Sequence, residues 1–335
     1  MEKQLAEIPV SVLDLAPIAA GDTPSDSFKK SLELARSAEQ FGYHRYWFAE
    51  HHNMENIASS ATSVLIGYIA GNTSRIRVGS GGVMLPNHAP LIIAEQFGTL
   101  EWLYPGRIDL GIGRAPGTDP VTSLALRRNL KGSVDEFPQD VMELREYLAP
   151  RDQLSRVRAI PGEGTQVPIW LLGSSTYSAQ LAAALGLPFA FASHFEPTYL
   201  YDALQLYRQH FKPSAQLPQP YSIACVNVIA ADTDEEAQTL ATSFYMLAMG
   251  IITGKRQPIQ PPVESMEGIW NDFEKAAVQQ MMQFSFIGSA KRVKEQLQSF
   301  VNDTGIDELM VASHIYDNAA KIKSYELISP FFKRS

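Results

Sequence analysis

The sequence predicts an α/β fold, a (β/α)8 TIM barrel, and three observations carry that prediction. Short β-rich runs alternate with longer helix-period segments, the order expected of parallel strands joined by crossover helices. Eight such strands and roughly eight helices fit in 335 residues, a length at which α/β barrels fold as one unit. No linker, internal repeat or low-complexity tract divides the chain, so residues 1–335 read as a single domain. A doubly wound open sheet is the alternative that alternation alone leaves standing.

Strands are expected at 9–15, 43–49, 76–81 and 107–113, then at 169–173, 189–192, 221–230 and 307–312. Helices are expected at 27–41, 59–72 and 91–103 after the first three strands. Further helices at 176–185, 197–211 and 234–249 follow the fifth to seventh strands, and one at 290–303 precedes the eighth. Two segments exceed an ordinary connection: 115–140 after the fourth strand, and 250–283 after the helix that follows the seventh. Pro258, Pro261 and Pro262 keep part of the second from being helix. Long segments on one barrel face are usually lids or binding loops, and both read as insertions of that kind.

Composition narrows the class. With 28 Lys+Arg against 36 Asp+Glu the formal net charge is −8, which disfavours non-specific binding to nucleic acid or to an anionic membrane. Hydrophobic residues at 45% and charged residues at 19% argue against disorder. The one cysteine, Cys225, excludes an internal disulfide framework and any cysteine-rich metal centre; among Ile223, Val226 and Val228 it reads as core packing. The first ten residues carry Glu2, Lys3 and Glu7 with no apolar run, so no signal peptide is expected, and no apolar stretch approaches the roughly 18 residues of a spanning helix. A reduced, cytoplasmic location is expected.

In a barrel the chemistry sits where strands end. Five of the 7 histidines fall just past a strand end: His51 and His52 after the second, His88 after the third, His194 after the sixth and His314 after the eighth. That bias points to a shared polar pocket. Gly79-Ser80-Gly81-Gly82 closes the third strand and Gly111-Ile112-Gly113 the fourth, small-residue ends that suit either a planar ring or tight packing between strands. The fifth strand runs through Gly173 into Ser174, Ser175, Thr176, Tyr177 and Ser178, and then into helix. So many hydroxyls at a helix start exceed what a cap needs and suit a phosphate, with Arg114 supplying positive charge. Neither a Gly-x-Gly-x-x-Gly opening nor a P-loop occurs. A flat ring with one phosphate suggests a mononucleotide such as FMN.

These residues resemble a known family. The runs 46–52 (Tyr-Trp-Phe-Ala-Glu-His-His), 77–88 (Arg-Val-Gly-Ser-Gly-Gly-Val-Met-Leu-Pro-Asn-His) and 104–114 (Tyr-Pro-Gly-Arg-Ile-Asp-Leu-Gly-Ile-Gly-Arg) are similar to the bacterial luciferase-like, flavin-dependent monooxygenases. Segment 168–188 and Phe286-Ile287-Gly288-Ser289 extend the match, which resembles most the uncharacterised luciferase-like oxidoreductases. The resemblance implies FMN, used as FMNH2 from a separate flavin reductase and reacting with O2 to give a C4a-peroxyflavin that oxygenates a small organic substrate. It implies His51, with His52 beside it, as acid or base for that chemistry. It places Ser175 and Ser178 at the FMN phosphate and Arg114 against the flavin; Gly173, Ser174 and Tyr177 join them from the hydroxyl cluster read above. It also implies a cis peptide at Gly81–Gly82, next to Ser80, beneath the isoalloxazine ring.

Two departures limit what carries over. Gly113 stands where luciferase proper has a reactive cysteine, and the loop 115–119 differs, so neither light emission nor aldehyde specificity is expected. A non-catalytic flavin-binding protein and a deazaflavin-dependent oxidoreductase remain as alternatives. A metal-dependent barrel hydrolase is disfavoured, because Glu50-His51-His52 lacks the His-x-His and carboxylate set of bimetallic barrels, and no metal is expected. The resemblance implies pairing through helices 59–72 and 91–103, and the apolar set Val64, Leu65, Ile66, Tyr68 and Ile69 in the first is too continuous for a helix with one free face, so a homodimer is expected.

Overall fold

The computed structural model describes residues 3–115, 117–126, 135–151 and 156–334. Its elements run β1 (Val10–Asp14), α1 (Pro24–Phe41), β2 (Arg45–Phe48), α2 (Thr62–Ala70), β3 (Arg77–Met84), α3 (Pro90–Leu103) and β4 (Ile108–Gly113). Next come α4 (Pro120–Leu126), α5 (Phe137–Leu148), β5 (Ile169–Gly173), α6 (Thr176–Leu185), β6 (Phe189–Phe191), α7 (Leu200–His210) and β7 (Ser222–Ala231). The chain ends with α8 (Asp234–Thr253), α9 (Asp272–Met281), β8 (Ser285–Ser289), α10 (Ala290–Thr304), β9 (Glu308–Ala312) and α11 (Asn318–Ile328).

The strands close as expected. β1 to β7 pair in chain order, all parallel; β7 pairs onward with β9, and β9 returns to β1. The open sheet is thereby ruled out. The eighth barrel strand, expected at 307–312, is β9. A ninth strand, β8, lies outside the expected set and pairs with the upper half of β7, from Asn227 to Ala231. At five residues ending in Gly288 and Ser289, it has too little β-run to stand out alone; only the edge that β7 offers makes it a strand. Helices α4, α5, α9 and α11 lie outside the expected set as well. Helix α5 had a legible signal: Phe137, Val141, Leu144 and Leu148 sit at helical spacing and all are buried.

Strand periodicity sorts the side chains into two layers. Tyr46 and Phe48 of β2 face outward into the core under the helices, while Trp47 faces inward with Leu13, Trp170, Ala190, Cys225 and Met310. Cys225 is thus core, as its neighbours in sequence suggested. At the N-terminal end of the barrel, Arg45 joins Asp109 at 2.7 Å and Glu308 at 3.0 Å, and Arg77 joins Asp109 at 2.6 Å. These charges plug one end with paired groups. The opposite, C-terminal end gathers the candidate site residues.

Barrel packing accounts for several glycines. A Cβ at Gly79 would lie 2.5 Å from the Asp109 carbonyl oxygen, and one at Gly111 2.1 Å from that of Ser80. One at Gly81 would lie 2.7 Å from Leu13 Cδ1. The strands approach too closely there for any side chain. The Gly81–Gly82 peptide is cis, as the resemblance implied.

Candidate active site

The end of β2 delivers Glu50, His51 and His52 to the mouth, and the three part company there. Glu50 is buried. Its Oε1 lies 2.8 Å from His52 Nε2 and 2.8 Å from His88 Nε2, and its Oε2 accepts the Met84 N–H at 3.3 Å. A single turn of 3-10 helix at Leu85–Asn87, just past β3, carries His88 into place. Burial opposes the Glu50 charge, but the hydrogen bonds from His52 and His88 outweigh it and hold the carboxyl below its ordinary value. This carboxylate was visible in the sequence without a role; its two imidazole partners are what the fold adds.

His51 turns elsewhere. Its Nδ1 is buried without a hydrogen-bond partner among the described residues, and the same holds for Nδ1 of His194 and of His314. Burial pulls His51 down to about 4, with the Arg256 charge adding to it. Burial likewise takes His194 to about 3, helped by the proximity of His314 and His51, and His314 to about 4. All three rings are neutral at neutral pH. His314 stacks on Phe244 with centroids 4.8 Å apart, and His194 meets Phe195 edge-on at 4.8 Å. The five strand-end histidines therefore divide into a hydrogen-bonded pair on Glu50 and a group of three with a free ring nitrogen each.

The start of α6 brings the hydroxyl cluster together. Ser175 is the N-cap residue, yet its side chain makes no capping bond. None of the hydroxyls of Ser174, Ser175, Thr176, Tyr177 and Ser178 has a hydrogen-bond partner among the described residues. Gly173 is required here, because a Cβ would lie 2.5 Å from Ser178 Oγ. The Arg114 guanidinium, from the end of β4, lies 4.0 Å over the Tyr177 ring. It has no carboxylate partner among the described residues. Ser80 is placed differently: its hydroxyl donates to the Gly111 carbonyl at 2.8 Å, a strand-to-strand tie beneath the mouth.

Both long segments reach this end. Thr118 Oγ1 donates to the His52 carbonyl at 3.1 Å and Asn53 Nδ2 to Asp119 at 3.1 Å, binding the segment after β4 to the loop after β2. Gly117, at φ 61, passes with its Cβ position 3.0 Å from the Glu50 carbonyl oxygen. The segment after α8 crosses to the other side, where Ala20 N–H donates to Ile259 O at 2.8 Å and Ile259 N–H to Ile18 O at 3.0 Å. Part of the first insertion, 127–134, lies outside the described residues.

Unpartnered hydroxyls and helix N–H groups can hold a phosphate, and neutral histidines at the same barrel mouth can move protons. Both sets stand at the C-terminal end of a TIM barrel, the end at which barrel enzymes carry their chemistry. The family can now be stated: the chain belongs to the luciferase-like monooxygenases, whose profile matches residues 8–308. It is 54% identical over 320 residues to a luciferase-like monooxygenase of Escherichia coli K12, covering 96% of each chain. It is 34% identical to the N-acetyl-S-alkylcysteine monooxygenase of Bacillus subtilis 168, over 96% of this chain and 97% of that one. The crystal structure of apo-MsnO8 superposes with a TM-score of 0.88 at 36% identity, over 98% of this chain and 99% of that one. The FMN complex of the oxygenating constituent of 3,6-diketocamphane monooxygenase has a TM-score of 0.71 over 97% of each chain, and at 20% identity shows the fold alone.

Proposed function

We propose that this protein is an FMNH2-dependent monooxygenase that uses O2 to oxidise a small organic substrate in the cytoplasm, with reduced flavin supplied by a separate reductase. The observation that carries the reading is the set of hydroxyls at the start of α6 without hydrogen-bond partners among the described residues, with Arg114 over Tyr177, on a chain of this family. That donor set fits a flavin mononucleotide phosphate. Ser174, Ser175, Tyr177 and Ser178 would hold it, with Gly173 leaving room for the turn and Arg114 adding charge. Ser80, Gly81 and Gly82, within β3, would back the ring system. When bound, the reduced flavin supplies the activation of O2, one atom of which enters the substrate.

His51 presents a neutral imidazole whose Nδ1 has no competing partner, so it serves to take up and return a proton at the reacting centre. His52 is held by Glu50 and works from a fixed position beside it. Two such chains pair as a homodimer, a reading supported by the apolar residues exposed on α2 and α3.

Titration with FMN and FMNH2, then O2 uptake with an FMN reductase present, tests the proposal. Because one relative acts on N-acetyl-S-alkylcysteines, these head the substrate panel. Tight flavin binding with substrate-dependent O2 uptake is the expected result. Binding without turnover across the panel and without any reaction of the reduced flavin with O2 would make this a flavin carrier. Preference for a deazaflavin over FMN would overturn the cofactor.

A further inference from the structure

We infer that Glu50, His52 and His88 form a binding site for a zinc-class divalent ion, which shares His52 with the flavin reading above but is tested by metal uptake alone. The Nε2 atoms of both histidines lie 2.8 Å from one and the same oxygen, Glu50 Oε1. All three donor atoms fall within 4.8 Å of one another. Ligands about 2.1 Å from a tetrahedral zinc stand roughly 3.4 Å apart, so these separations bracket what the ion needs. Two imidazoles and one carboxylate are the ligand set of zinc sites that keep a fourth position open. The same nitrogen-rich set disfavours magnesium and calcium, which take oxygen ligands.

The surroundings suit an ion as well. The Met84 N–H on Glu50 Oε2 orients the carboxylate and leaves Oε1 toward the histidines. Side-chain exposures of 13% for His52 and 26% for His88 leave the cluster reachable from solvent, while Glu50 is buried at 2%. Each Nε2 stands within hydrogen-bond distance of Glu50 Oε1, and the ion would take the place of those two contacts. It would stitch the loop after β2 to the turn after β3. His51 is not among the clustered donors.

The test is equilibrium dialysis of the full chain against Zn2+, with Co2+ as the spectroscopic substitute. One ion per chain is expected, and the Co2+ form should show the visible bands of a four-coordinate centre. His88→Asn and His52→Asn should each weaken binding by at least about tenfold, whereas His210→Asn, on the exposed end of α7, should leave it unchanged. The Co2+ spectrum is read on the unaltered protein, so it stands even if a variant misfolds. No uptake by the unaltered chain would overturn the site. So would uptake that survives His88→Asn, or that falls with His210→Asn, since the ion would then sit on surface histidines.

Discussion

At the scale of single residues, the division between His51 and His52 matters most. Neighbours in sequence, they have opposite surroundings: His52 is anchored on Glu50, whereas His51 keeps an unpartnered Nδ1. If His51 moves the proton, His51→Ala should retain FMN affinity while turnover falls by about 10²–10⁴-fold, the range for a lost general acid or base. Near-normal turnover in the folded variant would shift the role to His52, His194 or His314. A second expectation concerns acid. His194 and His314 have folded values of about 3 and about 4, below the 6.5 of an exposed imidazole. Above that value both folded and unfolded states leave them neutral. Below it the unfolded chain binds protons that the folded one does not, so stability falls as pH drops. The slope is at most about 1.4 kcal/mol per pH unit for each ring. Urea denaturation between pH 7 and pH 5 should show the loss, and His314→Phe, which keeps the stack on Phe244, should flatten it. An unchanged slope would mean the ring is charged in the fold.

Among the elements, α6 and the α2–α3 pair are the ones to perturb. The start of α6 is a poor cap for itself, which leaves its hydroxyls available. Ser175→Ala with Ser178→Ala should weaken FMN binding by about 1.5–3 kcal/mol for each hydrogen bond lost to a charged acceptor. Affinity unchanged by the double substitution would place the phosphate elsewhere, for instance beyond β9. On α2, Leu65, Ile66 and Ile69 are buried within the chain while Val64 is 68% exposed; on α3, Trp102 is 67% exposed. The apolar run of α2 therefore has two faces, and α3 exposes apolar residues as well. Sedimentation should show a dimer, and Trp102→Glu should return it to the 37.1 kDa monomer without altering flavin affinity. A monomer already in the unaltered protein would remove the assembly reading.

For the molecule as a whole, the barrel's two ends have separate duties. The N-terminal end is closed by Arg45, Arg77, Asp109 and Glu308, with the Arg45 guanidinium also 4.6 Å over the Trp170 ring. Asp109 is fully buried between two arginines, and each of them lowers its tendency to take a proton. Asp109→Asn would leave that positive charge uncompensated, at a cost of about 3–5 kcal/mol of stability. Urea unfolding checks the loss, and FMN affinity in the folded protein should hold, because the site is at the other end. A loss of flavin affinity matching the loss of stability would mean the two ends are coupled.

By itself the sequence determined the α/β alternation, the strand ends and most of the side chains gathered there. Alternating β-runs and helical periods report strand and helix directly and imply parallel strands, while the pairing of β9 with β1 decided between a closed barrel and an open sheet. The histidines past strand ends and the hydroxyls from Ser174 to Ser178 were legible for the same reason: a barrel puts every strand end on one face. The tertiary structure alone decided which of them meet. Glu50 lies 38 positions before His88, and no local period pairs them; closing β2 against β3 does. Strand β8 and the ends of the insertions needed the same help, since β8 exists only where β7 offers an unpaired edge. The glycines at 79 and 111 could be read as ligand approach or as packing until neighbouring backbones stood against them. Local pattern fixes what an element is, whereas the partners of a side chain depend on distances that only the closed barrel sets.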